Sequence, residues 1–190
     1  MKPFSRTALS AVTEWKTRAE TALQSQNWDD CVAACESLLL LDDRNHFAQE
    51  TLATALLQLG RVDEAVQTVQ RLLEISPRDP LHRLRLATLL QMQGRPGESL
   101  QQFERIAQMY PDAPFSDDAR EAMENLDRLQ TQQILLMAAE QDSFRWQLER
   151  DPAQTLRENE FYLTENGFES LRQMIPGAED DLAEQAPRLH

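Results

Sequence analysis

Cys31 and Cys35 stand four residues apart, a spacing that puts both thiols on one face of a helix, one turn apart. Such a pair could start a metal site or form a redox couple. A metal site needs more ligands, and the three histidines, His46, His82 and His190, are scattered along the chain. The thiols therefore read as small buried core side chains, with redox chemistry as the alternative. Two cysteines do not fix the compartment, and nothing here needs an oxidising one. The carboxylate pairs Asp29/Asp30 and Asp42/Asp43 suggest acid–base work at first sight. Adjacent residues do not share a helix face, however, and the first pair suits a helix start. A Gly-rich phosphate loop, a Ser/His/Asp set and metal-ligand spacing are all lacking in the sequence. The reading is a protein without catalytic residues, cofactor or metal, and so not an enzyme.

The elements that hold these residues follow from composition and periodicity. The chain has 190 residues, with 19 Lys+Arg against 32 Asp+Glu, a net charge of −13. Most of that excess lies beyond Ala113. No cationic surface is left to neutralise phosphates, which argues against nucleic acid as a partner. Five glycines and nine prolines are too few for a turn-rich β protein. The apolar run Ser37 to Leu41 stops at Asp42, and no run in the sequence approaches the roughly 20 residues of a membrane span. Lys2 and Arg6 imitate the start of a signal peptide, but Ser10, Thr13, Glu14 and Lys16 occupy its expected apolar core. A cytoplasmic protein without membrane contact is expected.

A repeat of 34 residues runs ungapped through three units, 12–45, 46–79 and 80–113. The eighth column holds Ala19, Ala53 and Ala87, and the twentieth Cys31, Ala65 and Ser99. Small side chains in both columns are what two closely pressed antiparallel helices require. Apolar residues at helical spacing fill the eleventh (Ala22, Leu56, Leu90), twenty-fourth (Cys35, Val69, Phe103) and twenty-seventh (Leu38, Leu72, Ile106) columns. The fifteenth column, Gln26, Gly60 and Gly94, marks the turn. The thirty-second, Asp43, Pro77 and Pro111, marks the end of each second helix.

This pattern resembles the tetratricopeptide repeat (TPR) family. The second unit carries it best, through Leu52-Ala53, Leu56, Gly60, Ala65, Val69, Leu72 and Pro77. The first departs at Arg18, Gln26 and Asp43. The resemblance implies an all-α fold, an α-α superhelix: a right-handed solenoid of three helical hairpins, closed by a capping helix over 114–133. One hairpin cannot bury its apolar face alone, so stacking is what creates a core. Ser116 is the expected N-cap of the closing helix, and Ala119, Met123, Leu126 and Leu129 form its stripe.

The family lines its concave face with positions 2, 5, 6, 9, 12 and 13 of each repeat. That places Lys16 and Glu20 from the first unit in a groove. Phe47, Glu50, Thr51, Thr54, Leu57 and Gln58 follow from the second, and Leu81, Leu84, Arg85, Thr88 and Gln91 from the third. Such a mixed lining suits an extended or helical peptide. A five-residue clamp for a partner's terminal carboxylate, known in chaperone-binding members, is matched only by Lys16 and Arg85. Glu20, Thr51 and Leu81 depart from it, and each charge-assisted bond so lost is worth about 1.5–3 kcal/mol. A chaperone-tail clamp is therefore not expected.

Residues 134–177 read as an acidic helical extension, and 178–190 as a disordered tail. Ile134–Ala139 is apolar all round, with Phe144, Trp146 and Leu148 after it. This stretch needs a cover: an intramolecular helix pair, or a second copy of the chain in a homodimer. Asp151-Pro152 opens a short helix, and Thr164 caps a last one. The function expected is that of a scaffold or adaptor binding a protein or peptide in the groove. The alternatives are a self-associating structural protein using 134–148, or an accessory subunit docking through the C-terminal module.

Overall fold

The computed structural model describes residues 6–175, all-helical among the described residues. The disorder expected of 178–190 lies outside them. Among the described residues ten helices follow in order: α1 (Arg6–Gln24), α2 (Trp28–Leu41), α3 (His46–Gln58), α4 (Val62–Ile75), α5 (Pro80–Met92), α6 (Pro96–Met109), α7 (Pro114–Glu140), α8 (Asp142–Arg150), α9 (Pro152–Glu158) and α10 (Glu165–Met174). The chain forms two compact units that divide between Gly94 and Arg95, inside the third 34-residue repeat.

In the first unit α1 packs on α2, α2 on α3, α3 on α4 and α4 on α5. The small-residue columns explain the close approach. Ala19, Ala53 and Ala87 are essentially inaccessible, as are Cys31 and Ala65. Cys31 Sγ lies 3.8 Å from the Ala19 carbonyl oxygen, so the eighth and twentieth columns meet directly. Both cysteines are free and buried, as their reading as core side chains requires.

The turn column has one backbone conformation in all three repeats. Gln26, Gly60 and Gly94 have φ of 56°, 72° and 71°. At the first two turns the chain closes the helix with paired backbone bonds: Asn27 N to Ala22 O and Arg61 N to Leu56 O, each 2.9 Å. The next residue starts the second helix with a polar fork. Arg61 donates to Glu64 at 2.7 and 2.6 Å, and Arg95 donates to Glu98 at 2.6 Å through both Nε and Nη2. In the first repeat Asn27 and Asp30 take the same two places, with Asn27 Nδ2 donating at 2.8 Å. The first helices of the second and third repeats start on side-chain caps: Asn45 accepts from Ala48 N, and Asp79 from Leu81 N.

In the second unit α7 is one unbroken helix that continues past Gln133 to Glu140. Its N-cap is Ala113 rather than Ser116. Pro114 takes the first helical position, where its missing N–H costs nothing, and its φ is preset for helix. Ser116 is instead buried, and its hydroxyl donates to the Tyr110 carbonyl. The apolar stretch after Gln133 is covered within the chain. Ile134, Ala138, Phe144, Leu148, Leu156, Phe161, Leu171 and Ile175 form one cluster, while Leu136 and Trp146 stay exposed. Asp151 accepts from Gln154 N, and Thr164 from Gly167 N, as N-caps of α9 and α10.

Two buried polar side chains of α7 tie down the segment before α10. Gln130 Nε2 donates to the Tyr162 carbonyl at 2.5 Å, and Tyr162 N donates back to Gln130 Oε1 at 2.9 Å. Asp127 Oδ1 accepts from Thr164 N at 2.8 Å, and Asp127 Oδ2 accepts from the Thr164 hydroxyl. Gly167 lies so close to the Asp127 carboxylate that a Cβ would collide with it.

Candidate functional site

The expected groove residues lie on α1, α3 and α5, all within the first unit. On α1, Lys16 pairs with Glu20 at 3.9 Å, and its ammonium sits 5.1 Å from the centre of the Phe47 ring on α3. This cation–π contact joins the first helices of two repeats. Phe47 and Leu57 are half-buried and lean on the core, while Gln58 is exposed. Thr51 is buried and offers little surface to a partner. Thr54 and Thr88 donate their hydroxyls to the Glu50 and Leu84 carbonyls one turn back. On α5, Leu81 is 65% exposed, Leu84 half-buried and Gln91 exposed. Arg85 is half-buried, and its Nη1 is shut off from solvent without a hydrogen-bond partner among the described residues. A guanidinium nitrogen so placed favours an acceptor brought by a ligand.

A concavity of about 1000 Å³ lies elsewhere, against α2, α3 and α4, with Leu40, Gln49, Gln67 and Arg71 in its wall. It contains none of the expected groove residues. Gln49 Oε1 is buried there without a partner among the described residues.

The histidines are not all scattered in space. His46, the first residue of α3, and His82, on the first turn of α5, approach to 3.0 Å between their Nε2 atoms. Glu50 lies one turn after His46, with its carboxylate 3.4 Å from His46 Nδ1 and 4.0 Å from His82 Nε2. Asp79 Oδ2 is 3.6 Å from His82 Nε2. Among the described residues, His46, Glu50 and His82 are the group whose ligand atoms lie close enough together to hold a metal ion. His46 and His82 stand 36 positions apart in sequence, one repeat plus two residues. The repeat register was the signal that could have paired them, since it sets α5 beside α3.

A tetratricopeptide repeat profile matches residues 16–80 and again 50–114, together more than half of the chain. The chain belongs to the tetratricopeptide repeat family. Its fold is the all-α, α-α superhelix class of TPR proteins. The TPR domain of Arabidopsis OM64 is similar, at 20% identity and a TM-score of 0.52 over 63% of this chain and 96% of that one. The Yersinia enterocolitica type III secretion chaperone SycD, in complex with a peptide of the translocator YopD, gives 17% identity and a TM-score of 0.55 over 66% and 96%. The TPR2B domain of yeast Sti1 in complex with an Hsp70 peptide gives 17% and 0.50 over 62% and 93%. These likenesses show the TPR fold. No curated protein matches the chain. Among the described residues no helix is long and apolar enough to cross a membrane.

Proposed function

We propose that this TPR protein is an adaptor that binds an extended or helical peptide segment of a partner protein along α1, α3 and α5. The observation that supports the reading is Arg85: a guanidinium nitrogen held out of water, with no acceptor among the described residues. Burying an unanswered donor costs stability, and a peptide carbonyl or acidic side chain would offset that cost on binding. Lys16 adds a second cation beside Phe47, and Leu57, Leu81 and Leu84 add apolar surface. The YopD and Hsp70 peptide complexes are precedents for a peptide on this fold. TPR membership supports an interaction module rather than an enzyme. Free buried thiols suit a cytoplasmic setting.

The test is in-cell crosslinking with the full chain and with the Lys16→Glu/Arg85→Glu double variant, followed by identification of the crosslinked proteins. Circular dichroism confirms that the variant is folded. A partner that crosslinks to the native chain and is lost from the folded variant supports the groove. Equal capture by both refutes it.

A further inference from the structure

We propose that His46, Glu50 and His82 form a binding site for a first-row transition-metal dication of the Zn²⁺, Ni²⁺ and Cu²⁺ class, joining α3 to α5. The donor set is two imidazole nitrogens and one carboxylate oxygen, which suits these ions and not Mg²⁺ or Ca²⁺. The two Nε2 atoms are 3.0 Å apart. With metal–nitrogen bonds of about 2.0–2.1 Å, that separation subtends roughly a right angle at the ion, the angle between neighbouring ligands in square or octahedral coordination. The three ligating atoms lie within 4.8 Å of one another, close enough to converge on one ion. Asp79 Oδ2 adds a second carboxylate beside His82 and increases the negative charge facing a cation.

The elements explain why the site is held in place. His46 and Glu50 are one turn apart on α3 and share a face. His82 is buried, and its backbone N–H is fixed by the Asp79 cap, so one ligand is rigid. The other two are partly exposed, which leaves an entry path and free coordination positions for water. Without metal, the same geometry fits a hydrogen bond between the two imidazoles, one Nε2 donating to the other. A metal ion replaces that bond and locks the first helices of consecutive repeats at one separation. This inference does not depend on the groove binding a peptide.

The full chain, produced without a polyhistidine tag, is titrated with Zn²⁺ by calorimetry and with Cu²⁺ by electron paramagnetic resonance. The expected results are one ion per chain and nitrogen splitting from two imidazoles. His46→Ala and Glu50→Gln are surface changes that leave the core intact. Each should weaken Zn²⁺ by at least the 10–100-fold that loss of an outer-shell partner alone costs. His190→Ala should leave binding unchanged. Zn²⁺ should raise the melting temperature of the native chain and not of His46→Ala. Absence of a one-to-one Zn²⁺ site, or undiminished binding by His46→Ala, overturns the proposal and leaves the cluster as a hydrogen-bonded pair.

Discussion

The side-chain amide of Gln130 pairs with both backbone groups of Tyr162, donating through Nε2 and accepting through Oε1. One glutamine thus does for an irregular segment what a neighbouring strand does in a sheet. It satisfies a backbone N–H and a backbone carbonyl at once. Gln130→Ala leaves both unanswered and should destabilise the second unit by about 1–3 kcal/mol. Urea unfolding followed by the fluorescence of Trp146, with Trp15 and Trp28 replaced by Phe in both proteins, measures this. A change below about 0.5 kcal/mol would show that water replaces the amide.

Gln26 occupies a left-handed turn where the next two repeats have glycine. A side chain there costs about 1–2 kcal/mol, partly offset because glycine frees the unfolded chain. Gln26→Gly should stabilise the protein by about 0.5–1 kcal/mol. Gly60→Ala should destabilise it by about 1 kcal/mol, although no described residue beyond its chain neighbours comes within 4 Å of the added Cβ. Thermal melts of the two variants should shift in opposite directions, and a parallel shift would contradict the backbone argument.

Arg85→Met keeps the apolar stem and removes the unanswered donor. Folding stability should be unchanged or up to about 1 kcal/mol higher, while affinity for the partner falls. Denaturant unfolding and a binding isotherm separate the two effects. A variant less stable by more than about 1 kcal/mol would mean that Arg85 serves the fold.

Burial, reinforced by the neighbouring Cys31, pushes the Cys35 thiol from 9.0 to about 12, and burial also raises Cys31. The unfolded chain then loses these protons first. The stability this gives is complete below pH 9 and declines between pH 9 and about 12, by up to about 1.4 kcal/mol per pH unit for each thiol. Cys31→Ala/Cys35→Val installs the residues of the second repeat, Ala65 and Val69. Its stability should fall less steeply than the native chain's above pH 9, and identical pH profiles would count against the assignment.

The repeat was legible because each column has one physical demand. Close helix packing requires Ala19, Ala53 and Ala87, and a left-handed turn favours Gly60 and Gly94. Asp151-Pro152 and Thr164 were equally plain, since capping is a local matter. Ser116 misled because a hydroxyl before two aspartates suits an N-cap, while Pro114, two residues earlier, already opens the helix. The His46–Glu50–His82 cluster was missed because its members lie in different repeats at unlike positions, first, fifth and third. No column of the alignment displays a relation between neighbouring repeats. The carboxylate forks Arg61–Glu64 and Arg95–Glu98 sit in matched columns, but Asn27–Asp30 disguises them in the first repeat.

Because Pro114–Glu140 is a single rod, the protein has no seam at Gln133. Trimming the gene there would sever the helix one residue before Ile134 and strip Gln130 of the loop it grips. The stub would end in Thr131-Gln132-Gln133 with Asp127 and Gln130 stripped of the backbone they hold, and its behaviour would report the cut.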